Sequence, residues 1–311
     1  MREGIRPVGC GKHGGGLFRS CGFASSVRVF VTGGTGFVGP SILDAILARG
    51  HRVTALVHRQ PPPARPGLST AKGDVARGEL PDLAGHDAVV HLVGIIDEKP
   101  SKGLTFERLH VEATRHVVEA AKRVGIRRFL HMSANGADLA LTPYQRTKLA
   151  AEQVVKDAGL DATIFRPSFI AGPGEGFHAK LAPVIRYAPV VPVLGGGSAV
   201  MQPVAAGDVG LAFAKALDEP VAVGKTYCVA GPETLTFRQY LERLAKLMGR
   251  KRAYAPVPEG LALAMAKLPG FPATPDQLRM LFAGNACADA RWAEDLGITP
   301  TPWEAAMTDL R

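Results

Sequence analysis

The segment Val31-Thr32-Gly33-Gly34-Thr35-Gly36-Phe37-Val38-Gly39 joins an apolar run at 27–30 to a stretch, 41–49, whose apolar residues Ile42, Leu43, Ile46 and Leu47 recur at helical spacing. A second alternating run at 53–57 follows, so the glycines sit at the first turn of a strand–helix–strand unit. Their spacing is Gly33-x-x-Gly36-x-x-Gly39, and each position has its own reason to lack a side chain. Gly33 suits a tight turn off the strand, Gly36 a close approach of backbone to a pyrophosphate, and Gly39 a close approach of helix to sheet. Free amides and the positive end of the helix then face the phosphates. The pattern predicts a dinucleotide site with Gly33, Thr35, Gly36, Phe37, Val38 and Gly39 around the phosphates.

The second strand carries the cofactor preference. An acid about 20 residues past the turn would bind the adenosine ribose of NAD, whereas a basic residue there accommodates a 2′-phosphate. No Asp or Glu occurs between Asp44 and Asp74, and the strand at 53–57 runs into His58-Arg59. This favours NADP(H) over NAD(H), with Arg59 either facing the extra phosphate or standing as a solvated loop cation.

Strand and helix patterns keep alternating: strands at 68–72, 88–92, 129–132 and 163–165, and helices at 104–124 and 144–158. Such alternation predicts a Rossmann-type, doubly wound parallel α/β sheet. Ligands then gather at the carboxyl ends of strands, which here are His58-Arg59, Asp74-Val75, Val93-Gly94, Ser133-Ala134 and the segment from Pro167 through Phe169 to Ile170. The organisation expected is a disordered, basic, Gly-rich extension over 1–26, a nucleotide-binding core over 27–170, and a smaller mixed lobe over 171–311 on the substrate side with sheet-completing segments. In that lobe, 188–197 reads as a Pro/Gly-rich loop, 208–217 as a helix, 225–229 as a returning strand, and 236–248 and 260–267 as helices. His178, Arg186 and Tyr187 are weighed as substrate contacts against ordinary surface or packing roles, and Trp292 and Trp303 are assigned to packing.

Tyr144 and Lys148 form the second constellation. Thr142 suits a helix cap and Pro143 the first helical position, so the two side chains share one helix face. A phenol is a weak acid–base group at neutral pH, and an adjacent ammonium favours its ionised form. Lys148 can therefore tune Tyr144 while donating to a ribose.

Composition excludes several alternatives. A formal charge of +9 comes without a Lys/Arg cluster interleaved with aromatics, which disfavours nucleic-acid binding and leaves attraction to phosphorylated ligands or anionic membrane surfaces open. No apolar stretch reaches the ~20 residues of a membrane span. The four cysteines, Cys10, Cys21, Cys228 and Cys287, show neither metal nor disulfide spacing, which suits a reducing cytoplasm, with a peripheral place at the inner membrane compatible.

The chain resembles the short-chain dehydrogenase/reductase superfamily in TGGTGFVG at 32–39, GDV at 73–75, HLVG at 91–94, HMSA at 131–134, YQRTK at 144–148 and FRPSFIAGPG at 165–174. Its details look like the extended and atypical members of the epimerase/dehydratase type. HLVGII at 91–96, 110–137 and GGGSAVMQPVAAGDV at 195–209 are similar to bacterial relatives of the nucleotide-binding accessory subunit of respiratory complex I. The resemblance implies that Asp74 binds near the adenine, unless it only caps the turn beginning at Val75. It also implies that Gly94 lets the backbone approach the cofactor, unless it is only a turn residue, that Lys148 holds the ribose, and that Pro167, Phe169 and Ile170 line the nicotinamide. The catalytic hydroxyl falls on Ser133 in one register and is lost to Ala134 in the other. Three functions follow: an NADP(H)-dependent oxidoreductase acting on a small carbonyl or alcohol through Tyr144, Lys148 and Ser133; a non-catalytic NADPH-binding accessory or assembly protein of a respiratory or quinone-related complex; and a nucleotide-sugar epimerase or dehydratase. The first is ranked ahead.

Overall fold

The computed structural model describes residues 26–174 and 176–308. The extension expected over 1–26, with Cys10 and Cys21, lies outside the described residues except for Ser26. Thirteen strands are described: Arg28–Thr32 (β1), Arg52–Val57 (β2), Leu68–Lys72 (β3), Ala88–His91 (β4), Arg128–Met132 (β5), Asp161–Pro167 (β6), Ile170–Ala171 (β7), Val190–Leu194 (β8), Val200–Met201 (β9), Val204–Ala205 (β10), Thr226–Val229 (β11), Leu235–Thr236 (β12) and Ala253–Val257 (β13). The α-helices are Gly39–Ala48 (α1), Ala113–Arg123 (α2), Pro143–Asp157 (α3), Phe177–Tyr187 (α4), Ala206–Asp218 (α5), Phe237–Leu247 (α6), Glu259–Met265 (α7), Pro275–Phe282 (α8) and Arg291–Asp295 (α9).

Seven parallel strands form one sheet in the order β11-β6-β5-β4-β1-β2-β3. The direction of winding reverses between β1 and β4, which opens the crevice where this architecture binds ligands. Burial explains the strand sequences: β4, Ala88-Val89-Val90-His91, is buried along its whole length because helices cover both faces. On one face Val29, Val31, Ile42, Leu43 and Ile46 pack with Val209, Ala212 and Phe213 of α5. On the other, Phe30, Val89 and Phe129 pack with Val117 of α2 and Val155 of α3. Helices α1 and α5 approach so closely that a Cβ on Gly210 would lie 2.4 Å from the Ser41 carbonyl oxygen.

Strand β11 pairs with β6 and completes the core sheet from the second half of the chain. The rest of that half builds the lobe around Ile185, Val191, Val193, Phe237, Tyr240, Leu244 and Trp303. Trp292 and Trp303 are both fully buried, as expected.

Three expectations need correction. The segment 188–197 is not simply a loop, because β8 pairs in parallel with β13. Val191 and Val193 point inward while Val190 and Pro192 face out, so the alternation of an edge strand outweighs the Pro and Gly content. The helix expected over 104–124 starts as a π-helical stretch, Glu107–Glu112, before α2. Finally, Cys228 and Cys287 form a disulfide. Their separation of 59 residues carries no local signature, and the segment of Cys287 is held by the bridge from Asn285 to Met201 of β9. The cysteine pattern therefore no longer argues for a reducing compartment.

Candidate functional site

The glycine turn after β1 is a closed cradle. The Gly36 amide donates to the Gly33 carbonyl at 3.1 Å, and the Gly39 amide to the Gly36 carbonyl at 3.0 Å. Gly33 has a φ of +77°, and a Cβ there would lie 2.9 Å from the backbone of Leu92 and Val93, so the turn is pressed against the end of β4. A Cβ on Gly36 would meet only the Gly33 carbonyl, and Thr35 and Gly36 are exposed, which leaves backbone open to an incoming phosphate. Gly39 differs from its expected duty: its Cβ would lie 2.2 Å from the Gly34 carbonyl, so it closes the turn on itself. Helix α1 starts at Gly39 with Pro40 in its first turn and no side-chain cap; the Gly39 amide is taken by the Gly36 carbonyl and the Ile42 amide by the Val38 carbonyl, so the row of free first-turn amides expected from the sequence is reduced. Val38 is buried in the core, and Phe37 reaches across to Gly172, Gly176 and the buried His178 of the lobe.

Next to the cradle, the ends of β2 and β3 enclose a hollow of roughly 510 Å³ lined by Val57, His58, Lys72, Gly73, Asp74 and Leu80. Asp74 acts as the cap: its carboxylate accepts from the Ala76 amide at 2.9 Å, and it also lies 3.7 Å from His58. Val75 is buried beneath it. Arg59 is exposed at the same rim.

Helix α3 carries Tyr144 and Lys148. The Thr142 side chain accepts from the Gln145 amide while the Gln145 side chain accepts from the Thr142 amide, and Pro143 occupies the first turn. Lys148 is buried, and its ammonium donates to the Met132 carbonyl at 2.6 Å. A Cβ on Gly94 would lie 3.5 Å from Lys148 Nζ and 3.6 Å from His110 Nε2, so Gly94 faces both side chains at contact distance. Burial lowers the Lys148 ammonium to about 8, against the opposing charge of Glu152.

Tyr144 is half-buried and set edge-on to the rings of Phe106, at 5.7 Å, and His110, at 5.4 Å. Burial pushes its phenol up to about 12. This reverses the expected tuning, because Lys148 is turned onto Met132 and no charge offsets the loss of water around Tyr144. His110 is the residue that sequence reasoning missed. Its Nδ1 lies 2.8 Å from Thr147 Oγ1, and Thr147 already donates to helix carbonyls, so Nδ1 carries the proton and Nε2 accepts from the Ile95 amide at 3.1 Å. The π-helical turn places His110 there; such turns concentrate at functional sites. Behind it, His91 bridges Thr32 and Thr114, and His131 stacks on His91 at 5.5 Å. Burial, and then the charge of Lys148, pull His91 and His110 down to about 3 and His131 well below its ordinary value.

Ser133 does not face this group. Its hydroxyl donates to Glu152 at 2.5 Å, a fully buried carboxylate that also holds Arg166 through two contacts of 2.8 Å. The side chain at the β5 end directed toward the lobe is Asn135, whose amide donates to Asn285 Oδ1 at 3.1 Å. Pro167 is buried at the end of β6, Phe169 packs on Phe177 at 4.9 Å, and Ile170 pairs with Val204. These three therefore join core to lobe beside the crevice. Of the weighed lobe residues, His178 is buried near Phe37, and Arg186 and Tyr187 are exposed. Among the described residues, no helix is long and apolar enough to cross a membrane.

A glycine cradle at the sheet's switch point, with an α3 Tyr–Lys pair across the next strand end, is the arrangement that decides the family. Residues 29–230 match the model of the NAD dependent epimerase/dehydratase family. The chain belongs to that family. It is 29% identical to sterol demethylase protein B of Methylococcus capsulatus, over 91% of this chain and 97% of the relative. It is 33% identical to 3-beta-hydroxysteroid dehydrogenase of Mycolicibacterium neoaurum over 48% of this chain and 49% of that protein. It is 28% identical to the mitochondrial NADH dehydrogenase (ubiquinone) 1 alpha subcomplex subunit 9 of Rattus norvegicus over 72% of this chain and 61% of that subunit. The complex I resemblance is thus a real relationship within the family. Among solved structures, MoeE5 in complex with UDP-glucuronic acid and NAD superposes with a TM-score of 0.72 at 20% identity, covering 91% of this chain and 98% of that one. The Escherichia coli quinone oxidoreductase QOR2 complexed with NADPH gives 0.71 at 18% identity, covering 91% and 99%. The solved structures show the fold, and the matched NAD-dependent family supports a nicotinamide dinucleotide as the cofactor class.

Proposed function

We propose that the chain is an NADP(H)-dependent oxidoreductase that exchanges hydride between the nicotinamide and an alcohol or carbonyl group carried on a predominantly apolar substrate. The observation that carries this reading is the continuity of one surface: the Gly33 turn touches the end of β4, and two residues later Gly94 opens directly onto Lys148, one helical turn from Tyr144. The residues fit the cofactor, since Gly33, Gly36 and Gly94 clear its path. Exposed His58 and Arg59, with no acid at the β2 end, support a 2′-phosphate at the adenosine side. When bound, the cofactor supplies or accepts the hydride.

The chain's own groups do the rest. Lys148 holds a ribose hydroxyl, and Tyr144, whose proton stays on the phenol at neutral pH, donates it to the substrate oxygen as negative charge develops there. That state suits carbonyl reduction. Phe106 and His110 flank the ring, and Ile96, Leu139 and Leu141 are exposed on the segments that follow β4 and precede α3. Sterol- and hydroxysteroid-named relatives support an apolar substrate over a sugar nucleotide. A second reading, an accessory protein that binds NADPH without turnover, is favoured by one observation: Ser133 is committed to Glu152, so no hydroxyl from the β5 end polarises a carbonyl.

NADPH oxidation by the purified protein over a panel of ketosteroids and long-chain ketones decides between them. The expected outcome is turnover that Tyr144→Phe lowers by ~10²–10⁴ while NADPH affinity stays within about twofold. Binding without turnover across the panel selects the accessory role.

A further inference from the structure

The disulfide between Cys228 and Cys287 spans the boundary between the core sheet and the lobe, with Cα atoms 5.7 Å apart. Cys228 lies on β11 between the buried Tyr227 and Val229, and it is itself only partly buried. Cys287 lies in the stretch between α8 and α9, where no residue from Phe282 to Arg291 is buried. That stretch is tied to the segments that follow β5 and β6. The Asn285 amide donates to the Val200 carbonyl at 2.7 Å, the Cys287 amide to Gln202 Oε1 at 2.9 Å, and the Asn135 amide reaches Asn285 Oδ1 from the end of β5. Gln202 in turn accepts from the Ser168 hydroxyl at the end of β6.

We propose that Cys228 and Cys287 are a reversible dithiol–disulfide site whose oxidised form pins residues 283–290 across the β5 and β6 ends and whose reduced form releases them. The fold does not need the bond. Strand β11 keeps its ladder with β6 and its buried Tyr227 and Val229, while Leu281 and Trp292 anchor the two helices. Breaking the bond therefore frees only the exposed stretch between them, together with its contact to Asn135. The partial exposure of both cysteines admits an external dithiol. One of its thiolates attacks a cystine sulfur and breaks the S–S bond, and the displaced cysteine leaves as a thiolate and takes a proton. The second thiol of the reductant then attacks the mixed disulfide, releasing the other cysteine as a thiol. Two electrons and two protons pass to the protein, and the reductant ends as its own disulfide.

The site stands whether or not the chain turns over a substrate, so its test uses no activity. The full-length protein is equilibrated with oxidised or reduced dithiothreitol, alkylated and peptide-mapped, and its amide hydrogen exchange is followed in both states. Oxidation should yield a cross-linked peptide containing Cys228 and Cys287. Reduction should speed exchange at the Asn285 and Cys287 amides by on the order of tenfold or more, with Tyr227 and Val229 within about twofold. Cys228→Ser should match the reduced protein in either buffer. Free thiols after oxidation, unchanged exchange on reduction, acceleration spreading equally through β11, or a Cys228→Ser protein that behaves like the oxidised form would each overturn the proposal.

Discussion

Lowering the pH from 7 to 5 should cost this fold several kcal/mol, through histidines rather than carboxylates. His91 and His110 are buried and held at about 3, whereas in the unfolded chain each returns to about 6.5. A group whose folded pKa is depressed binds fewer protons folded than unfolded throughout the window between the two values. Stability is therefore full above about 6.5 and falls with pH until about 3. For one such group the loss between pH 7 and 5 is ~2 kcal/mol, so the pair costs ~4 kcal/mol, and His131 adds in the same direction. Lys148 does not contribute in this window, because it is protonated in both states below pH 7. Against a typical total of about 5–15 kcal/mol the effect is large. Urea unfolding at pH 7, 6 and 5, with a constant slope against denaturant, measures it. His131→Phe isolates the cause, since neither ring nitrogen of His131 has a hydrogen-bond partner to lose and the site is already lined by aromatic rings. The variant should show a shallower loss than the parent. A parent whose stability is flat from pH 7 to 5, or a variant with an unaltered slope, refutes the reasoning.

Other consequences are as direct. Gly33→Ala forces a side chain into a φ of +77° and against the Val93 amide, so it should cost at least ~1–3 kcal/mol and abolish the rise in melting temperature that NADPH produces; a variant that melts with the parent and still rises with NADPH contradicts this. Arg59→Glu should weaken NADPH by on the order of tenfold or more and leave NADH within about threefold, as read by calorimetry; equal losses remove Arg59 from the 2′-phosphate. Glu152→Gln strips the charge that Arg166 and Lys156 share, and should destabilise the protein by ~3–5 kcal/mol in urea; a loss below ~1 kcal/mol would mean the cluster is dispensable.

The core was legible because its signals are local. The glycine spacing, the strand–helix alternation and the Thr142-Pro143 helix start each lie within a few residues, and the seven-stranded sheet follows from them. What escaped depends on contacts between distant segments. The ribbon of β8 and β13 needs a partner some 60 residues away, and the cystine likewise joins positions 59 residues apart. Ser133 sits at the expected strand end, but its hydroxyl is drawn inward by Glu152, and no spacing announces that a carboxylate 19 residues later will be buried there. His110 opens the segment 110–137 but gains no role from the sequence, since an ordinary helix would not aim it at Ile95 and Thr147 together.

The π turn at Glu107–Glu112 also has an evolutionary reading. A widened turn is what one extra residue leaves behind in a regular helix. Deleting a single residue there would restore ideal winding, but would rotate everything on one side of the cut by about 100° relative to the other. Helix α2 could keep its packing only by swinging His110 away from Tyr144. Lineages that shorten this stretch should therefore have lost the imidazole's partnership with the phenol, and length at this point becomes a marker for tracing which descendants kept the pairing.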